Sequence, residues 1–154
     1  PEGRDATLTA AAVPSSANKF EVAGAFTQTL ITSIDVQEAG KNTFISQTSE
    51  GTVNGTLSGT YEDDLQVTIH PNGTFTSHFT LRCECSLAGM VGTLDLVVND
   101  RGQIIGPNTA AFAGQAAIVG GTGGLAGLKG VLEIEGTVDL ASGLAEYDYI
   151  GTLH

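Results

Sequence analysis

The sequence predicts an all-β domain whose antiparallel strands close into a small barrel with an apolar interior. Three observations carry this. Apolar residues recur at every second position from Phe20 to the C-terminus, turn-forming residues separate these runs at short intervals, and no apolar stripe of helical period appears. A closed barrel also removes the unpaired edges that such a chain would otherwise expose.

The elements follow in order. Residues 1–18, rich in Ala, Ser, Thr and Pro without a period, read as a flexible leader, and residues 19–154 as a single barrel domain. Phe20, Val22, Phe26 and Leu30 alternate with Glu21, Ala23, Thr27 and Thr29. Val53 and Leu57 continue the pattern, as do Leu65, Val67 and Ile69. Phe75, Ser77, Phe79, Leu81, Cys83 and Cys85 then alternate with Thr74, Thr76, His78, Thr80, Arg82 and Glu84. Met90, Leu94, Leu96 and Val98 form another face. Leu128, Leu132, Ile134 and Val138 oppose Lys129, Glu133, Glu135 and Asp139, and the last face holds Ala145, Tyr147, Tyr149 and Leu153. Between the runs, His70-Pro71-Asn72-Gly73 is a strong hairpin signal, because Asn-Gly adopts the positive φ angles of a type I′ turn. Ala39-Gly40-Lys41-Asn42, Glu62-Asp63-Asp64, Asn99-Asp100-Arg101-Gly102 and Ala141-Ser142-Gly143 read as further turns.

Composition narrows the function classes. Of 154 residues, 41% are hydrophobic and 15% charged, too apolar for a disordered chain. No apolar run reaches the roughly 20 residues that span a bilayer as a helix. Six Lys+Arg against 17 Asp+Glu give a formal charge of −11. The six basic residues are scattered singly, which argues against nucleic acid and against an anionic membrane surface as partners. The leader, together with the sequons Asn54-Gly55-Thr56 and Asn72-Gly73-Thr74, points to a secreted or exported protein, although sequons also arise by chance in such turns.

Cys83 and Cys85 are two apart in a strand pattern. Such residues have parallel side chains and Cα atoms roughly 6.6 Å apart, near the limit for a disulfide. The expectation is two reduced, inward-facing thiols not joined to each other. Two Cys without a His at finger-like spacing do not make a zinc site, Glu62-Asp63-Asp64 lacks the rhythm of a calcium loop, and no metal is expected. His78, Arg82 and Glu84 share a polar strand face and read as solvated surface. No Gly-x-Ser-x-Gly elbow exposes a nucleophile.

The glycine-rich stretch Ala116 to Gly130 superficially suggests a dinucleotide fingerprint. No helix pattern follows it, and Leu128 interrupts the spacing a phosphate loop needs, so no nucleotide cofactor is expected. Ile105-Gly106-Pro107 and Ala116-Ala117-Ile118-Val119-Gly120-Gly121-Thr122-Gly123-Gly124-Leu125-Ala126-Gly127-Leu128-Lys129-Gly130 resemble the signature of allene oxide cyclase-like barrels, a group that includes dirigent proteins. The resemblance covers about a quarter of the chain. It implies an eight-stranded antiparallel barrel with a hydrophobic cavity, a homo-oligomeric assembly, no cofactor, and an isomerase or cyclase that shapes a reactive apolar substrate. It carries no catalytic residue across.

The candidate site residues come instead from strand parity. Tyr147, Tyr149 and Gln28 are the polar groups expected on inward faces that could orient a ligand oxygen. Phe26, Phe79, Cys83, Cys85, Leu132 and Ile134 are expected to line the same interior, with Glu133, Glu135, Glu146 and Asp148 outside. Three classes follow: a cofactor-free cyclase acting on a small apolar substrate, a non-catalytic carrier using the same cavity, and a secreted structural barrel whose interior is filled by side chains.

Overall fold

A computed structural model describes residues 19–154; the leader expected over residues 1–18 lies outside the described residues. Eight strands follow one another: β1 (Phe20–Ala39), β2 (Asn42–Gly55), β3 (Leu57–Ile69), β4 (Thr74–Leu87), β5 (Met90–Ile104), β6 (Thr109–Gly121), β7 (Gly130–Asp139) and β8 (Leu144–Leu153). Each pairs antiparallel with the next, and β8 returns to β1, closing an up-and-down barrel. Among the described residues the helical structure is one 3₁₀ turn, Gly123–Leu125, in the expected glycine-rich connection between β6 and β7.

The period-two pattern decides which face is inside. Apolar residues on alternate positions remove their surface from water only if all point inward, and their neighbours then meet solvent. Glu133, Glu135, Glu146, Asp148, Thr76 and Thr80 are accordingly exposed. A polar outside around an apolar inside is the reverse of a lipid-facing barrel.

The two ends differ. At one end, Leu57, Leu87, Leu94, Leu125, Leu132 and Leu153 are each 1% exposed or less. The 3₁₀ turn folds Leu125 into this end as a plug, with the Leu125 N–H donating to the Thr122 carbonyl (3.1 Å). At the other end lie the turns β1–β2, β3–β4, β5–β6 and β7–β8, and there the interior is open.

Several expected features are corrected. Glu62-Asp63-Asp64 and Asn99-Asp100-Arg101-Gly102 are not turns but the middle of β3 and the upper part of β5. Both strands are paired on each side through these residues, so pairing overrides their loop-like composition, and parity turns Asp63 and Asp100 inward. The chain reverses instead at Thr56, between Val53 and Leu57, which had read as one run. In β1 the register shifts between Gln28 and Leu30 and again between Ile31 and Ser33. A bulge adds a residue and exchanges faces, so Leu30, expected inside, is 52% exposed. The Asn72-Gly73 hairpin is not type I′: Gly73 alone in that turn has positive φ (86°), and its N–H donates to the His70 carbonyl (3.0 Å). Pro71, locked at negative φ, starts the turn one residue earlier.

The cysteine expectation is also overturned. Cys83 and Cys85 point inward as expected but are joined by a disulfide, with Cα atoms 5.5 Å apart. The strand rises less between these residues than the fully extended one on which the expectation rested, and this brings the pair from the edge of the bonding range to its middle.

Candidate functional site

The open half of the barrel holds a cavity of about 270 Å³, close to the lower end of ordinary small-molecule sites. Its walls are apolar: Leu65, Val67 and Ile69 from β3, Phe75 and Phe79 from β4, and Phe112 from β6. Polar groups reach it at few points, namely Gln28, Gln47, Ser77, Asp100 and Tyr147, and none of the lining residues is Lys, Arg or His.

Tyr147 forms the floor. Its ring stacks on Phe26 (centroids 5.1 Å apart, planes at 18°) and meets Phe112 and Phe79 edge-on at 5.6 and 6.4 Å. Ring packing on three sides fixes the plane of the phenol. Its hydroxyl is buried beside the Tyr61 hydroxyl, and the two phenols interact with each other rather than with any other side chain or backbone group among the described residues, while Asp63 Oδ1 has no partner among them. Burial raises both phenol pKa values, and Tyr61, Asp63 and Asp100 all act electrostatically on Tyr147, so these groups surround one polar centre. Gly51 makes room for it, because a Cβ there would lie 2.6 Å from the Tyr61 ring.

Gln28 holds this centre together. The β1 bulge follows it immediately, and β8 leaves β1 after the pair Thr27↔Glu146. The Gln28 side chain accepts from the Ala145 N–H thereby freed (2.8 Å) and donates to Asp63 Oδ2 (3.1 Å) and Ser49 Oγ (3.4 Å). Gln47 donates to the same Ser49 hydroxyl (3.0 Å). Burial pushes the pKa of the Asp63 carboxyl up against the opposing pull of Gln28 and Ser49. Two phenols and a carboxyl thus share one buried polar centre.

Asp100 stands apart from this cluster on β5. Ser77 donates to its Oδ1 (2.5 Å), and Oδ2 has no partner among the described hydrogen bonds. Burial raises its pKa to about 6 despite Ser77. Gly114 on β6 permits the placement, since a Cβ there would come within 2.6 Å of the Asp100 Cβ.

Of the residues singled out from sequence, Gln28, Phe79 and Tyr147 line the cavity. Phe26 supports Tyr147 from below. Cys83, Cys85, Leu132 and Ile134 are buried in the barrel but belong to the packed half and do not line the cavity. Tyr149 is inside, yet its hydroxyl is engaged by backbone: it donates to the Asn54 carbonyl (2.9 Å) and accepts from the Leu57 N–H (3.0 Å), tying β8 to the β2–β3 reversal. Sequence reasoning missed Tyr61, Asp63 and Asp100. Parity with Leu65 and with Val98 would have found both carboxylates, had the acidic run around Asp63 and the Asn, Arg and Gly around Asp100 not suggested turns. On the outer face, His78 bonds Asn99 and Arg82 pairs with Asp95 (2.7 Å), as solvated sheet surface does. No protein-family model and no curated protein matches the chain.

Proposed function

We propose that the protein is a cofactor-free isomerase or cyclase that holds a small apolar molecule in the open half of the barrel, with one ligand oxygen on Tyr147. The observation that carries this is the Tyr147 side chain at the floor of an apolar cavity, its buried hydroxyl set beside only the Tyr61 phenol among the described residues. A buried hydroxyl met only by another phenol is expensive to keep, and a carbonyl, enol ether or epoxide oxygen supplies a better acceptor. Fixed donors in a site shielded from water stabilise negative charge developing on that oxygen, while the rings of Phe79 and Phe112 restrict the shape of the carbon skeleton. The glycine-rich resemblance to allene oxide cyclase-like barrels supports the same reading. The disulfide supports export, since such bonds persist in oxidising compartments.

The test is a matched series of apolar ligands, a hydrocarbon, an epoxide and a ketone of one shape, followed by tyrosine fluorescence and by product analysis. The oxygenated members should bind saturably and the epoxide should rearrange faster than in buffer. Tyr147→Phe should weaken oxygenated ligands by about 10-fold, in the range of one buried hydrogen bond, and leave the hydrocarbon unchanged. Binding that ignores the oxygen would reject the Tyr147 role. Binding without rearrangement would make the protein a carrier.

A further inference from the structure

The barrel interior contains a second acidic group that the role of Tyr147 does not use. Asp100 lines the same cavity, with one carboxylate oxygen fixed by Ser77 and the other without a partner among the described residues. Asp63, by contrast, is not among the lining residues and is tied to Gln28. A carboxylate positioned by a neighbour, facing an apolar cavity that also holds a phenol donor, is the arrangement needed to move a proton next to a carbonyl.

We infer that Asp100 is a general base, positioned by Ser77, which takes the α-proton of an apolar β,γ-unsaturated ketone whose oxygen rests on Tyr147 and so converts it to the conjugated ketone. This rests on the reading above for the place of the oxygen. Asp100 Oδ2 accepts the proton from the α-carbon. The electron pair of that C–H bond forms a new C=C bond, and the carbonyl π pair moves to oxygen, where the Tyr147 hydroxyl donates to it. Asp100 then returns the proton to the γ-carbon, the carbonyl re-forms, and the remaining double bond is conjugated. No atom is gained or lost, and no oxidant or reductant enters.

The environment suits both roles. The titratable groups facing Asp100 across the barrel are Tyr147 of β8 and, around it, Tyr61 and Asp63 of β3. From the adjacent strands β4 presents Ser77 and β6 presents Gly114; β1 and β2 contribute the neutral amides of Gln28 and Gln47 to the lining. His78 and Arg101 lie close in register but are exposed on the outer face. With a pKa of about 6, Asp100 is ionised at neutral pH while the phenols keep their protons. Environments that push titratable groups apart in this way separate base from donor.

The experiment offers the protein a β,γ-unsaturated cyclohexenone in deuterated water, with the conjugated product followed by absorbance and deuterium uptake by NMR. Binding of naphthol, a planar mimic of the dienolate, reports in parallel whether each variant is folded. Wild type should form the conjugated ketone and incorporate solvent deuterium. Asp100→Asn should lower both rates at least about 100-fold while naphthol affinity stays within about 3-fold. Ser77→Ala should move the acid limb of the pH–rate profile upward, because the serine holds the Asp100 pKa down; a merely structural serine would leave that limb in place. Exchange that survives Asp100→Asn overturns the inference. A ketone that binds in a Tyr147-dependent way without exchange overturns it too and leaves the pocket assignment standing, whereas a ketone that does not bind at all removes both.

Discussion

The two halves of the barrel are built from the same eight strands and differ in what the inward positions carry. In the closed half, leucines from β3, β4, β5, β7 and β8 meet the Leu125 plug and leave no space. In the open half, β-branched and aromatic residues form a wall around a cavity, and the inward positions of β1, β3, β5 and β8 include Gln28, Asp63, Asp100 and Tyr147. Tyr149 and Tyr147, two residues apart on β8, mark the boundary. The lower phenol satisfies backbone groups, and the upper one meets only the Tyr61 phenol among the described residues. The closed half thus supplies the stability against which the open half can keep buried phenols and a raised carboxyl.

The largest expected effect tests that division directly. Leu94→Ala in the closed half should destabilise by about 2–5 kcal/mol in urea unfolding, since nothing nearby can collapse into the gap. Leu65→Ala, on the cavity wall, should lose about 1 kcal/mol, because one side of that residue already faces free space. Equal losses would mean that the open half is as tightly packed as the closed one.

Asp100→Asn sharpens the comparison through pH. The folded-state pKa of Asp100 is raised to about 6 from 3.8, so the unfolded chain releases this proton first. Stability is therefore lost as pH rises from about 4 to about 6 and levels off above. The Asn variant lacks this loss. It should match wild type near pH 4 and exceed it by about 2–3 kcal/mol at pH 7 to 8, while losing the proton-transfer activity. A gain that does not depend on pH would show that Asp100 is not strained by ionisation.

A smaller effect separates the two tyrosines. Tyr149→Phe should cost about 1–2 kcal/mol by leaving the Leu57 N–H and the Asn54 carbonyl unpaired. Tyr147→Phe should be close to neutral, as it deletes a buried hydroxyl whose one neighbour is the Tyr61 phenol. A reversed order would exchange the roles of the halves. The smallest effect belongs to the Cys83–Cys85 bond. It closes a minimal loop, so its reduction should lower stability by no more than about 1.5 kcal/mol. Alkylation of the unfolded, unreduced chain should modify neither cysteine, and both after reduction.

What the sequence determined by itself was the barrel and its parity. Alternation from Phe20 onward and the turns at Ala39–Asn42, His70–Gly73 and Ala141–Gly143 are local signals, each with a backbone cause, and they placed Gln28, Phe79 and Tyr147 inside. What only the tertiary structure decided depends on pairing across the barrel. The bulges that turn Leu30 out are set by the register of β1 against β2. The flanking strands keep Asp63 and Asp100 in ladders where their own polar neighbours suggest loops. The fate of each tyrosine hydroxyl rests on a contact distant in sequence, 86 residues for Tyr147–Tyr61 and 92 for Tyr149–Leu57. Local propensity is a property of a few neighbouring residues, whereas burial, hydrogen-bond satisfaction and pKa are set by whatever the closed sheet brings alongside.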